Sequence, residues 1–239
     1  MLDPIYGILS SGVIILMIGF AFGQIKRSEF SARWLFVAVA LVILNDMALT
    51  NGYGVLPNFL PNSSWNWQGK FLALMLTLAI AAHPAFGFVR VGLTLKQNPE
   101  GRKITWLAAL FVSLVFAGLA LWMPNDGTDI ESLAFQLTMP GFEEEPYYRG
   151  ILLFALNEAF RNRIKIGGVN LGWGALLSCM VFGLGHALSF SDGMLSIDPM
   201  TMGLTAMPAL LLIWFRERTG SLVLPILLHN FANAIFRII

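Results

Sequence analysis

The stretch GFEEEPYYRG, residues 141–150, sets three carboxylates side by side, with an arginine four residues after the last of them. Carboxylates in an apolar setting can act as general bases or hold a cation. They stand out here because the 239-residue chain is 56% hydrophobic and only 12% charged. A helix N-terminus explains one or two acids, since the helix dipole favours negative charge there, and Pro146 is tolerated in a first turn. It does not explain Arg149, one turn deeper, where an unpaired cation is unfavourable. On a helix, Glu145 and Arg149 stand at i,i+4 with the acid first, the better orientation for a pair. That pairing leaves Glu144 without an obvious cation, which makes it a functional candidate.

Two other stretches supply matching groups. FGLGHALSF places His186 near the outer end of one apolar run, and LLHNFANA places His229 and Asn233 one helical turn apart on a single face. The third histidine, His83 in AAHPAFGF, precedes a proline without such companions and reads as a packed or hydrogen-bonded core residue. Glu144, His186, His229 and Asn233 would come from three helices. Gly172, Gly174, Ser178, Gly183 and Gly185 mark the His186 helix as one that neighbours can approach closely.

Such side chains need elements to position them. Apolar runs of about 20 residues recur along the chain, as expected for a polytopic helical membrane protein. The reading is an all-α bundle of about eight transmembrane helices, near 5–23, 34–50, 70–91, 104–123, 144–160, 171–190, 199–216 and 221–239, forming one domain over 1–239. The longest polar connections are 51–69 and the acidic 124–143. The start, Met1-Leu2-Asp3-Pro4, lacks the basic segment of a secretory signal peptide, so the first run is expected to be retained. The single cysteine, Cys179, excludes an internal disulfide and reads as core filling.

The basic residues test the span count. Twelve of the 15 fall on one side of an eight-span arrangement: Lys26, Arg27, Arg33, Arg90, Lys96, Arg102, Lys103, Arg161, Arg163, Lys165, Arg216 and Arg218. Lys70, Arg149 and Arg237 are the exceptions. Lys and Arg favour cytoplasmic loops, which puts both termini on the non-cytoplasmic side. Asp126, Asp129, Glu131, Asp192 and Asp198 fall in the opposite loops.

With these motifs in order, residues 140–239 resemble the CAAX protease and bacteriocin-processing (CPBP, or ABI) family of intramembrane proteases. Glu-Glu-x-x-x-Arg matches Glu144, Glu145 and Arg149, followed by Gly150. Phe-x-x-x-His matches Phe182 and His186, and His-x-x-x-Asn matches His229 and Asn233. The first four spans match only as generic membrane helices. One departure is Pro146-Tyr147-Tyr148, where the family has an aliphatic pair and an aromatic.

The resemblance implies an intramembrane endopeptidase. Glu144 and His186 would hold and deprotonate a water, His229 and Asn233 would donate to the oxyanion, and Glu145 with Arg149 would position Glu144. An apolar site disfavours a charged carboxylate and strengthens it as a base. Two donors one turn apart can converge on one oxygen. No serine or cysteine stands beside a histidine in these motifs, so no covalent intermediate is expected. A metal-free mechanism is expected, with zinc held by Glu144, His186 and His229 as the alternative; no His-Glu-x-x-His helix is present.

The expected partners are a membrane protein or peptide substrate and the lipid bilayer, not nucleic acid. Some relatives cut prenylated C-terminal peptides and others process other peptides. Two non-proteolytic readings stay open: an ion-coupled carrier, to which Asn45 and Asp46 could contribute, and an immunity or scaffold protein of the same fold. Against a carrier stands the absence of an inverted repeat. The charge pattern places the site in the outer half of the membrane, whereas relatives that trim prenylated proteins face the cytosol.

Overall fold

A computed structural model describes residues 3–123 and 127–239; Met1, Leu2 and Asp126 lie outside them. Two long apolar helices come first, α1 (Asp3–Ile25) and α2 (Ala32–Leu49), followed by a single turn, α3 (Asn51–Gly54). Next are α4 (Trp67–Ala82) and α5 (Arg102–Trp122). By length and composition α1, α2 and α5 can cross a membrane, and α4, α8 (Trp173–Ala187) and α10 (Val223–Ile238) are shorter apolar helices. The remaining long helix, α9 (Pro199–Thr219), carries Arg216, Glu217 and Arg218 in its last turn.

The third expected span is shorter than the sequence reading, 70–91. The helix stops at Ala82 because Pro84 follows His83, which adopts an extended backbone. His83 is exposed rather than in the core, and its Nδ1 accepts the Ala85 N–H at 3.1 Å. The fifth span also departs from expectation. Helix α6 (Ile130–Met139) lies in the connection read as polar and runs on through a π-helical segment, Pro140–Leu152, into α7 (Leu153–Ala159). The three acids therefore lie inside a helical stretch and not at its N-terminus. Pro146 lacks an N–H and its ring clashes with the carbonyl four residues back. A wider π turn relieves that clash, and π segments recur at functional sites.

The architecture is not purely helical. Strands β1 (Arg163–Ile166) and β2 (Val169–Gly172) pair antiparallel, as do β3 (Leu188–Ser191) and β4 (Met194–Ile197). Each hairpin turns on two residues with positive φ, Gly167-Gly168 and Asp192-Gly193. The hairpins flank α8, which is why that helix is shorter than the expected 171–190.

The core joins α1, α2, the π segment, α7 and α8 through Ile15, Leu35, Ile151, Leu156 and Leu177, all essentially fully buried. Small residues let α8 approach its neighbours, as expected. A Cβ at Gly183 would stand 2.7 Å from Met202 Sδ on α9. Cys179 is buried.

The loops sort into two ends. At one, Arg161 N–H donates to Glu29 O, Lys26 Nζ to Asn162, and Arg216 to Arg90 O. Asn98 N–H donates to Thr219 O, and Arg218 reaches Gly168 O. These contacts gather the expected basic loops. At the other end, Trp65 donates to Ser132, and Ser63 and Trp67 donate to Glu131.

Candidate active site

The π segment brings Glu144 to one wall of a cavity of about 750 Å³. Glu144, His186, His229 and Asn233 all line it, as do Arg149 and Phe182. The four expected catalytic groups thus share one space, supplied by the π segment, α8 and α10. A close approach fixes the π segment against α10. A Cβ at Gly141 would stand 2.7 Å from Ile226 O, and the Gly141 N–H donates to Asn230 Oδ1 at 2.7 Å. Asn230, next to His229, was not singled out in the sequence.

Each of the three acids has a cation or imidazole partner. Lys70, on α4, donates to Glu143 Oε2 and to Glu144 Oε1, both at 2.6 Å. Glu145 Oε1 forms an ion pair with Arg149 Nη1 at 3.2 Å and lies 2.6 Å from His229 Nδ1. The expected Glu145–Arg149 pair is therefore present and fully buried. Its further partner is His229, and among the described residues no hydrogen bond or ion pair joins it to Glu144. Arg149 also lies over the Phe182 ring, with Cζ 4.2 Å from the centroid. Such a contact satisfies part of a buried cation's charge.

Sequence reasoning missed Lys70 as a partner for Glu144. The signal was there: Lys70 was one of three cations outside the basic loops, at the edge of an apolar run. The expectation that Glu144 is left without a cation is corrected accordingly. An ammonium on Oε1 favours the charged form against desolvation. Glu144 Oε2 is buried with no hydrogen-bond partner among the described residues, 3.7 Å from His229 Nε2.

The ring orientations follow from the bonds. His186 Nδ1 sits 2.8 Å from Phe182 O. A carbonyl only accepts, so Nδ1 carries the proton and Nε2 of the neutral ring is the free acceptor. His229 Nδ1 faces the Glu145 carboxylate, which turns Nε2 towards Glu144. Phe182 lies beside both imidazoles, with ring centroids 4.6 Å from His186 and 6.2 Å from His229. Asn233 lines the cavity one helical turn beyond His229 on α10.

The alternative zinc set fits these residues poorly. Among the described residues, no three His, Cys, Asp or Glu side chains gather closely enough to hold a metal ion. Lys70 already places a cation on Glu144, and Glu145 engages one nitrogen of His229. Of Asn45 and Asp46, weighed for an ion path, Asn45 hydrogen-bonds Glu143 and Asp46 is bonded locally. Asn45 is buried on α2, and Asp46 accepts the Tyr53 hydroxyl at 2.6 Å.

Neither the curated proteins nor the solved structures contain a match to the chain. Residues 126–235, which hold all three motifs, match the family model described as Type II CAAX prenyl endopeptidase Rce1-like, and this agrees with the CAAX protease family that the motifs resemble.

Proposed function

We propose that this chain is an intramembrane endopeptidase that hydrolyses a peptide bond of a membrane-associated, lipid-bearing protein or peptide. The observation that carries the reading is the convergence of Glu144, His186, His229 and Asn233 on one cavity within the matched segment. A water between Glu144 Oε2 and His186 Nε2 would give its proton to the carboxylate. The hydroxide then bonds to the scissile carbonyl carbon. The oxyanion meets the Asn233 amide and, when His229 is protonated, its Nε2–H. The C–N bond breaks as the proton passes from Glu144 to the leaving amine.

The charges support this division of labour. Three carboxylates against one ammonium and one guanidinium leave one negative charge, which an imidazolium at His229 would balance. Glu145 is placed to steady that imidazolium through Nδ1. Arg149 holds Glu145 in turn. No step needs a metal, so the reading is metal-independent.

The cavity walls favour a substrate with an apolar chain. Val112, Phe116, Leu204, Leu212 and Phe236 line it beside the polar groups. This suits a prenylated peptide, the substrate class in the family's description. We further propose that all eight apolar stretches lie in the bilayer, with the basic end cytoplasmic and both termini opposite. The test is cleavage of a farnesylated CAAX peptide by purified wild type and Glu144→Gln. Cleavage by the wild type alone supports the reading. Equal cleavage by both removes Glu144 from the mechanism, and a carrier or immunity role would instead leave the peptide intact in both.

A further inference from the structure

Lys70 lies outside the three motifs and outside residues 126–235, yet its ammonium is closer to the Glu144 carboxylate than His229 is. It donates at 2.6 Å to Glu143 Oε2 and at 2.6 Å to Glu144 Oε1, and its side chain is 15% exposed. The residue before it explains how it gets there. A Cβ at Gly69 would stand 2.1 Å from Leu49 O at the end of α2. Only glycine lets the first turn of α4 press so closely against α2, and that contact carries Lys70 to the π segment.

The two acids use Lys70 differently. Glu143 is fully buried and does not line the cavity. Glu144 lines it, and among the described residues no donor bonds its Oε2. Charge neutralisation alone would be met by Glu143 and Lys70 together. The second bond, to Glu144 Oε1, adds something else: it fixes which oxygen of that carboxylate faces His229 and the cavity.

We propose that Lys70 is a positioning residue for the hydrolysis, held by Glu143 and holding Glu144 so that Oε2 is the oxygen that takes the proton from water. This rests on the proteolytic reading of the site. Glu143, the acid that no motif uses, is the anchor of this clamp. The triple-acid run then divides into two functional units: Glu143 and Glu144 on Lys70, and Glu145 on Arg149 and His229.

The test uses the purified full chain and a quenched-fluorescence peptide with a farnesylated CAAX terminus. Lys70→Met alone leaves two buried carboxylates without a cation and is expected to lower the melting temperature. Lys70→Met with Glu143→Gln removes one charge of each sign, and its melting temperature should return towards wild type. In that stable double variant kcat should fall on the order of 10²-fold, because the reacting group is no longer held in place. KM should stay within about twofold, because the apolar walls Val112, Phe116, Leu204, Leu212 and Phe236 are untouched. Wild-type kcat in the double variant overturns the proposal. A Glu144→Gln variant that cuts normally overturns the proteolytic reading instead. If Glu144→Gln is inert while the double variant turns over normally, only the role of Lys70 falls. A structure of the double variant supplies an assay-free readout. Glu144 Oε2 should leave its place beside His229, and an unmoved carboxylate overturns the clamp.

Discussion

Replacing Arg149 with methionine should destabilise the protein far more than removing an exposed arginine. Arg149 is 1% exposed and Glu145 is fully buried, with Nη1 and Oε1 3.2 Å apart. Methionine fills much of the arginine volume, so the main loss is charge. Glu145 would keep only His229 Nδ1, at 2.6 Å. Breaking a buried pair by removing one partner costs about 3–5 kcal/mol. For a chain of this length each kcal/mol shifts the melting temperature by about 2–4 °C, so a drop of roughly 6–20 °C is expected. The control is Arg161→Ala. Arg161 is 61% exposed and stands 3.5 Å from Glu158; such a surface pair is worth about 0–1 kcal/mol. Thermal unfolding in detergent, followed by a thiol-independent fluorescence probe, compares the two. Adding Glu145→Gln to Arg149→Met should recover much of the lost stability, since both charges are then gone. Activity should stay low, because His229 has lost its ionised partner. Equal, small losses in Arg149→Met and Arg161→Ala would refute the argument from burial.

Three further outcomes are expected. Asn233→Ala should lower kcat by about 10²–10³-fold with little effect on stability, as for loss of one oxyanion donor; unchanged kcat would remove Asn233 from the oxyanion site. Activity should persist in a strong chelator, and elemental analysis should find no stoichiometric zinc; loss of activity that zinc restores would favour the metal-dependent alternative. On a Cys179→Ser background, Ser191→Cys should react with a membrane-impermeant thiol reagent added to intact cells and Lys165→Cys should not; the reverse pattern would invert the topology and turn the acidic end to the cytoplasm.

Much of the site was legible because its chemistry is local. Glu145 and Arg149 pair at i,i+4, and His229 and Asn233 share a helix face, so spacing alone locates them. Partnerships across the fold were less accessible. The Lys70–Glu144 contact spans 74 residues and depends on Gly69 against Leu49, which no periodicity encodes. The His229–Glu145 bond is similar: each residue was picked, but the link joins α10 to the π segment. The helix boundaries were blurred by hydropathy. Pro84 should have ended the third span, since a residue before proline leaves the helical region. The run of acids near Pro146 resembled a helix start and hid the continuous stretch from Ile130 to Ala159. The hairpins did leave a trace. Gly167-Gly168 follows RIKI, and Asp192-Gly193 separates LSFS from MLSI. Both dipeptides favour tight two-residue turns, and the apolar background concealed them.

The account stands on Glu144 as the group that activates water for peptide-bond cleavage. The most direct measurement compares the C-terminal peptides of membrane proteins in cells that express wild type or Glu144→Gln at equal levels, resolved by mass spectrometry. The swap preserves size and removes the base. The account predicts a set of new C-termini with wild type that is missing with Glu144→Gln. The same new termini in both would contradict it.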